Sequence, residues 1–355
     1  MTKKTRHIGI GFGELKHFHD GLGEFSNQFG LHIANRARML KQEHGVHFHF
    51  HLPAKWHGHF GNDVDYLPLT KHQRRLHFTR MRFDVWHSLH QHIRQRPPLF
   101  TRHVITTLHD LNLVYMKTGG SLWRGMRRQL SLLQRADEIV CISDHVLADL
   151  RRFTNLRQPA HRIYNGVRDL RAVSQVAPLE PLPAEYFFHI GRMAPNKNVD
   201  RIIDLATSWT ERQFVLAGPR CDETEAHLKE IRHRGLTNMR MLFDVSDQEK
   251  AWLYGHCAGL IFPSSTEGFG LPPIEAMSLG KQVFLSRATC LPEIGGELAS
   301  YFDQLDPDSM KQTILDGEAR RAHEINLSDR IQKWADQFSW DRCIDQYLAC
   351  YMRAK

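Results

Sequence analysis

No apolar run in this 355-residue chain approaches the ~18 residues that a membrane-spanning helix needs, and Met1–Ile10 carries no apolar signal-peptide core. A cytoplasmic protein is the expectation, touching a membrane, if at all, from its inner face. Cysteine is sparse: Cys141, Cys221, Cys257, Cys290, Cys343 and Cys350 are scattered, with no C-x-x-C pair. That pattern argues against a disulfide framework and leaves reduced thiols. Two phosphate fingerprints are missing as well. There is no G-x-G-x-x-G after the first strand and no G-x-x-x-x-G-K-[ST], so neither a dinucleotide site nor P-loop hydrolysis is indicated.

What is present is globular: 41% apolar and 24% charged residues, in a chain long enough for two domains. The net charge of +8 is uneven, with 27 Lys/Arg against 13 Asp/Glu up to Gln175 and 20 against 26 after it. A basic first half suits an anionic membrane surface, a phosphate-bearing acceptor or nucleic acid. Histidine is uneven too, 19 of 24 falling before Gln175. His47, His49 and His51 alternate on one strand, with His17, His19, His57 and His59 within reach. Alternating histidines can bind zinc or nickel, yet no carboxylate or cysteine completes a set. A polar strand face beside a cleft is the expectation, and no metal.

Periodicity gives strands and helices in alternation. Arg6–Phe12 reads as a strand, Gly21–Gly23 as a glycine turn, and Glu24–Leu40 as a helix with Phe25, Phe29, Ile33, Ala37 and Leu40 on one stripe. Val46–Leu52, Phe83–His87, Val104–Leu108, Glu138–Ser143 and Arg162–Val167 read as further strands. Arg124–Arg135 reads as a basic helix and Asp144–Phe153 as another. His109 and Asp110 follow a strand end, where open α/β sheets place ligands, and a histidine there could donate to a substrate oxygen. Arg168–Pro183 loses the pattern and collects prolines, so the expected domains are 1–170 and 184–337, with 171–183 as linker.

The second half repeats the alternation from Tyr186. Arg192 and Lys197 lie in the loop after its first strand, two cations at a sheet's carboxyl edge. Later, Ser264–Gly280 (SSTEGFGLPPIEAMSLG) follows a short apolar strand. Gly268 and Gly270 let backbone approach a ligand, and Pro272-Pro273 opens a helix whose free N–H groups favour an anion. Glu267 and Glu275 flank that anion site as acceptors for hydroxyls. Phosphate with hydroxyls means a nucleotide, a sugar or both; pairing with the cationic loop argues for a diphosphate.

These residues carry a family resemblance. EGFGLPPIE at Glu267–Glu275 resembles the Glu-x7-Glu signature of retaining GT-B glycosyltransferases, the large group 1 family containing sucrose synthase and bacterial mannosyltransferases. Gly21–Gly23, His109-Asp110, EIVCIS, YNGV, HIGRMAPNKN, LPEIGGE and the final FSWDRCIDQYLACY extend it over nearly the whole chain. The resemblance implies two Rossmann-like domains facing across a cleft, with the helix in 338–355 crossing back onto the first. It implies a nucleotide-diphosphate sugar as donor (GDP-, dTDP- or UDP-linked) and no cofactor or bound metal. By position, Arg192 and Lys197 would hold the diphosphate, Glu275 the ribose hydroxyls, and Glu267 the transferred sugar. The Gly268–Leu271 backbone, through Phe269 and Gly270, would lie near sugar or diphosphate. His109 would contact the sugar, and Gly21 and Gly23 would let the first domain approach the diphosphate. The expected reaction is transfer with retention, mannose or rhamnose being favoured, to a glycan or lipid-linked acceptor in surface polysaccharide or lipopolysaccharide synthesis. A GT-B sugar-nucleotide epimerase and a non-catalytic anion- or nucleic-acid-binding protein are the alternatives; nucleic acid is not the expected partner.

Overall fold

The structure is a computed structural model that describes residues 5–18 and 21–354. His19, one of the histidines expected near the alternating strand, lies outside them. The chain divides into two compact units: unit 1 runs to Gly166 and resumes at Trp340, and unit 2 is Val167–Ser339.

Unit 1 contains β1 (Arg6–Gly11), α1 (Gly21–His44), β2 (Val46–Leu52), β3 (Asp65–Pro68), β4 (Val85–Ser88), β5 (His103–Leu108), α2 (Leu113–Met116), α3 (Gly119–Leu133), β6 (Glu138–Cys141), α4 (Asp144–Phe153) and β7 (Ala160–Arg162). Its seven strands are parallel in the order β3-β2-β1-β4-β5-β6-β7. Parallel sheets need cover on both faces, and β2 shows how each is filled. Phe48, Phe50 and Leu52 join Phe25, Phe29 and Ile33 of α1 in one core. His49 and His51 point to the opposite face, where Phe83, His77 and Trp86 pack on them. Gly9 makes room there, since a Cβ would lie 2.1 Å from the Trp86 ring.

Unit 2 contains β8 (Phe187–Ile190), α5 (Val199–Ser208), β9 (Phe214–Gly218), α6 (Asp222–His233), β10 (Met239–Phe243), α7 (Asp247–His256), β11 (Gly259–Phe262), α8 (Leu271–Ser278), β12 (Gln282–Ser286), α9 (Leu291–Gly295), β13 (Ser300–Phe302), α10 (Pro307–His323) and α11 (Leu327–Ala335). Its sheet is parallel in the order β10-β9-β8-β11-β12-β13, rank for rank the order of the first six strands of unit 1. Then α12 (Trp340–Arg353) returns to unit 1 and packs beside α1, burying Trp340, Ile344, Tyr347 and Tyr351. Two Rossmann-like units with the last helix returned to the first is the arrangement that the GT-B resemblance implies.

Two local expectations need correction. Gly21–Gly23 is not a turn but the first turn of α1, and neither glycine has a positive φ. The helix stripe simply extends one turn earlier than Glu24. The strand expected over 162–167 ends at Arg162, because the chain leaves the sheet there; Gly166 then lies so close to Trp340 that a Cβ would sit 2.3 Å from its ring. The sequence reading also passed over β3, β13, α10 and α11. These are peripheral pieces whose apolar positions are few: α10 buries only Met310, Ile314 and Gly317.

Candidate active site

In each unit the strand order reverses beside the first strand, between β1 and β4 and between β8 and β11. Loops leaving the carboxyl ends of such a pair diverge to opposite faces and open a crevice for ligand. In unit 2 the two loops are the cationic 191–198 segment and 263–270, the pair singled out by sequence.

Hydrogen bonds lock them together. Ser265 N–H donates to Asn196 O at 2.8 Å. The Asn196 amide donates to Thr266 O at 3.0 Å and the Asn198 amide to Pro263 O at 2.8 Å. Asn198 can do this because it sits in the left-handed region (φ 52°) as it starts α5, a conformation asparagine tolerates. The outcome is a direct ion pair between Lys197 and Glu267, each side chain only about one-seventh exposed (16% and 14%). The Lys197 ammonium also lies 4.9 Å above the Phe262 ring. Arg192 contrasts with it: 73% exposed, its guanidinium lies 3.9 Å from Glu223. One cation is fixed and the other is free to swing.

Glu267 is held from behind as well. Its N–H donates to Thr289 Oγ1 at 3.0 Å, and its carbonyl accepts from the Cys290 thiol at 3.4 Å. Gly268 follows at the surface of the turn, and Gly270 takes φ 95° before α8 begins at Leu271. Prolines at Pro272 and Pro273 start the helix without forfeiting donors it would use. The Phe269 ring is buried against Phe338, their centroids 5.8 Å apart. Gly280 closes the helix with φ 70° and donates its N–H to Met277 O, as expected of a C-terminal glycine. Ser264 Oγ and Thr266 Oγ1 are buried in the same loop and have no hydrogen-bond partner among the described residues.

Glu275, one turn into α8, has partners that sequence reasoning missed. Lys250 Nζ of α7 donates to its Oε1 at 2.9 Å and Tyr254 OH to its Oε2 at 2.9 Å. Burial first, and then the Glu275 charge, push the Tyr254 phenol well above its ordinary value, so it stays a donor. The available signal was spacing: Lys250 and Tyr254 are four apart and share a face of a helix that precedes β11. Beneath the site His189 is wholly buried and its Nδ1–H donates to Ile261 O (2.9 Å); burial lowers it to about 4, which keeps it neutral.

Unit 1 assembles a second group. His109 lies just past β5 with Nε2 2.9 Å from Leu89 O, and Gln91 Oε1 accepts its backbone N–H at 3.0 Å. A carbonyl partner makes Nε2 the protonated nitrogen. The Phe25 ring meets the imidazole edge-on at 4.6 Å, which brings His109 beside the start of α1, where Gly21 and Gly23 lie. Burial lowers His109 to about 4, so it is a neutral hydrogen-bonding group at physiological pH rather than a general acid. The structure thus joins Arg192, Lys197, Glu267–Leu271 and Glu275 in unit 2, and Gly21, Gly23 and His109 in unit 1.

The histidine strand does something else. His49 and His51 are buried, His49 contacting His7 at 3.0 Å and Asp65 at 3.1 Å, and His51 contacting Gln73 at 2.9 Å. Among the described residues, the one grouping of three ligating atoms within 4.8 Å is Glu138, His161 and Cys350, away from that strand. Arg353 already serves this carboxylate and thiol, and burial keeps Cys350 protonated by raising it.

Comparison with known proteins bears on both units. The family model described as Glycosyltransferase Family 4 matches residues 28–169, and that described as Glycosyl transferases group 1 matches residues 174–334. The first half of the chain carries a Family 4 glycosyltransferase domain and the second half a group 1 glycosyltransferase domain. It is 27% identical over 368 residues to O-antigen chain mannosyltransferase B of Escherichia coli, covering 93% of this chain and 95% of the relative. Among solved structures, it matches a sucrose-phosphate synthase from Thermosynechococcus elongatus at TM-score 0.76 and 19% identity, over 98% of each chain. Anabaena HepE, solved with UDP-glucose, matches at 0.69 and 16% over 97% of this chain and 98% of that one. The fold is that of the GT-B glycosyltransferases.

Proposed function

We propose that this glycosyltransferase moves a hexose, mannose before rhamnose, from a nucleotide-diphosphate sugar to a glycan or lipid-linked acceptor in surface-polysaccharide synthesis, with retention at the anomeric carbon. The observation that carries the donor assignment is the convergence of Lys197, Arg192 and the α8 N-terminus on one loop pair of unit 2, with Glu267 bonded to Lys197. The O-antigen mannosyltransferase relative supports the sugar and the pathway class, and UDP-glucose bound to HepE supports the donor class.

In this reading Lys197 is shared. Paired with Glu267 before the donor arrives, it is held in place and aimed; with donor bound, it meets the diphosphate while Glu267 accepts from sugar hydroxyls. Arg192 closes on the phosphates from solvent. As the glycosidic C–O bond breaks, the electron pair departs with the diphosphate. Lys197, Arg192 and the α8 N–H groups stabilise that growing charge, the task a metal performs elsewhere. Glu275, its carboxylate fixed by Lys250 and Tyr254, accepts from the ribose. Neutral His109, its Nε2–H already given to Leu89 O, accepts from a sugar hydroxyl through Nδ1. The acceptor hydroxyl attacks the face the leaving group vacates and passes its proton to the departing diphosphate oxygen, since Glu267 is committed to Lys197 and hydroxyls rather than poised as a nucleophile.

The basic first half meets the acceptor or an anionic membrane. No helix among the described residues is long and apolar enough to span a bilayer. The experiment is incubation with GDP-mannose, dTDP-rhamnose and UDP-glucose beside membrane-extracted acceptor, followed by proton NMR of the product. An axial anomeric signal from an axial donor is expected. An inverted product would contradict retention, and donor conversion without acceptor would favour an epimerase.

A further inference from the structure

Four large apolar side chains of unit 1 stand in water on two adjoining segments. Leu76 and Phe78 are 59% and 65% exposed, Leu99 and Phe100 43% and 68%. Backbone hydrogen bonds knit the segments: Arg96 N–H to Gln73 O and Leu99 N–H to His77 O, both 2.8 Å, and Arg102 N–H to Phe83 O at 3.0 Å. Buried His77 reaches Arg96 O at 2.8 Å between them. The four side chains therefore form one patch, which is a different matter from single exposed residues.

The charge around this patch has one sign. From Lys71 to Arg102 there are eight Lys/Arg and a single acidic residue, Asp84. Asp84 is already engaged by Arg102 (3.1 Å) and the His7 N–H (2.9 Å), and Arg74 pairs with Glu14. Arg75, Arg80, Arg82 and Arg96 are exposed, and no carboxylate among the described residues forms an ion pair with them.

A second observation is independent of charge. Pro98–Thr101 is a turn in which Thr101 N–H donates to Pro98 O at 3.2 Å, and Phe100 occupies its third position with φ 67°. That position favours glycine or asparagine, and a bulky residue is strained there. A phenyl ring that is both strained and exposed contributes little to the fold; strain of this kind is kept where it serves a contact.

We propose that this patch docks unit 1 on an anionic lipid bilayer, its rings entering the headgroup region and its arginines meeting lipid phosphates. The inference rests on the reading that the chain works at a membrane, and it names the face. Two of the four apolar groups are leucines, which suit lipid better than stacked bases. A second copy would bring the same arginines against each other.

The test is flotation of the full chain with phosphatidylglycerol–phosphatidylcholine vesicles and with phosphatidylcholine alone. Binding to the anionic vesicles only, weakened by salt, is expected. Phe100→Gly and Phe78→Ser should each reduce it about tenfold, and Phe100→Gly should leave the melting temperature unchanged or raised. The triple change Arg75→Gln, Arg80→Gln, Arg82→Gln should reduce it about a hundredfold, at about fivefold for each cation. Exposed Trp123 of α3, beside Arg127 at 5.3 Å, offers the competing face. If Trp123→Ala abolishes binding and the patch changes do not, the patch assignment falls while the membrane reading stands. Absence of binding to anionic vesicles overturns both. A dimer in solution that the patch changes dissolve, without vesicle binding, overturns the bilayer as occupant.

Discussion

The two units share a strand order and almost nothing of their chemistry. In unit 2 the switch-point loops and the helices beside them carry paired full charges: Lys197 with Glu267, Lys250 with Glu275. In unit 1 the loop after β1 has its own pair, Glu14 with Arg74, but the groups at the ends of β4 and β5 are neutral: His109 on a carbonyl and against Phe25, and His87 between Tyr351 OH (2.6 Å) and Thr107 Oγ1 (2.8 Å). The topology supplies a crevice twice, and the side chains decide what each crevice can hold. Charge held in advance by hydrogen bonds suits a diphosphate; neutral donors and acceptors suit a sugar.

The largest effect should come from breaking the charged side of that contrast. Lys197→Ala is expected to lower turnover by at least two orders of magnitude, from the loss of one fixed donor to the leaving group. Circular dichroism should still show a folded chain, since Lys197 lies on a loop above the core. Near-normal turnover would remove the diphosphate assignment.

Acid should break the neutral side. Burial lowers His51 and His109 to about 4 and His87 to about 3, and it lowers His49 in the same direction. Each folded value lies below the ordinary 6.5, so the unfolded chain binds the proton first. The stability they contribute is full above about pH 6.5 and is lost as pH falls toward 4, on the order of 1–3 kcal/mol for each group. Unit 2 has a single comparable imidazole, His189, among its described residues. Calorimetry between pH 7 and 4.5 should therefore show a unit 1 transition moving down in temperature well ahead of unit 2. Parallel movement of both would contradict the assignment of acid lability to the histidines.

A smaller effect belongs to Lys250. Lys250→Met leaves Glu275 with Tyr254 alone and an uncompensated charge in a half-buried place. Donor KM is expected to rise about tenfold (~1.4 kcal/mol) with kcat little changed, and Lys250→Arg to restore most of it. A fall in kcat at constant KM would place Lys250 elsewhere in the reaction. The smallest effect is none at all: prolonged EDTA treatment should leave activity intact, because fixed cations serve the leaving group. Loss on chelation with rescue by zinc would revive a metal.

Much of this was legible in the sequence because each element sat near a steric or electrostatic extreme. Val46–Leu52 was bounded to the residue by its alternation of apolar and aromatic side chains with histidines. The loop pair 191–198 and 263–270 was readable from glycines, prolines and two cations. What was not legible depends on what lies across from a residue. His49 and His51 looked like a polar face because alternation cannot show that Trp86 and Phe83 cover it. Lys250 drew no reading because its partner, Glu275, comes 25 residues later. Gly21–Gly23 looked like a turn because glycine permits one, whereas the stripe through Phe25 and Phe29 draws the helix start back to Gly21.

The central claim is that unit 2 holds the donor through the loop pair that Lys197 and Glu267 join. Hydrogen exchange of the full chain with and without GDP, UDP or dTDP tests it most directly, since bound ligand suppresses local opening. Slowed exchange in 191–198 and 264–275 with the preferred nucleotide, absent in Lys197→Ala, is the expected result. Protection confined to unit 1, or none with any of the three nucleotides, would contradict it.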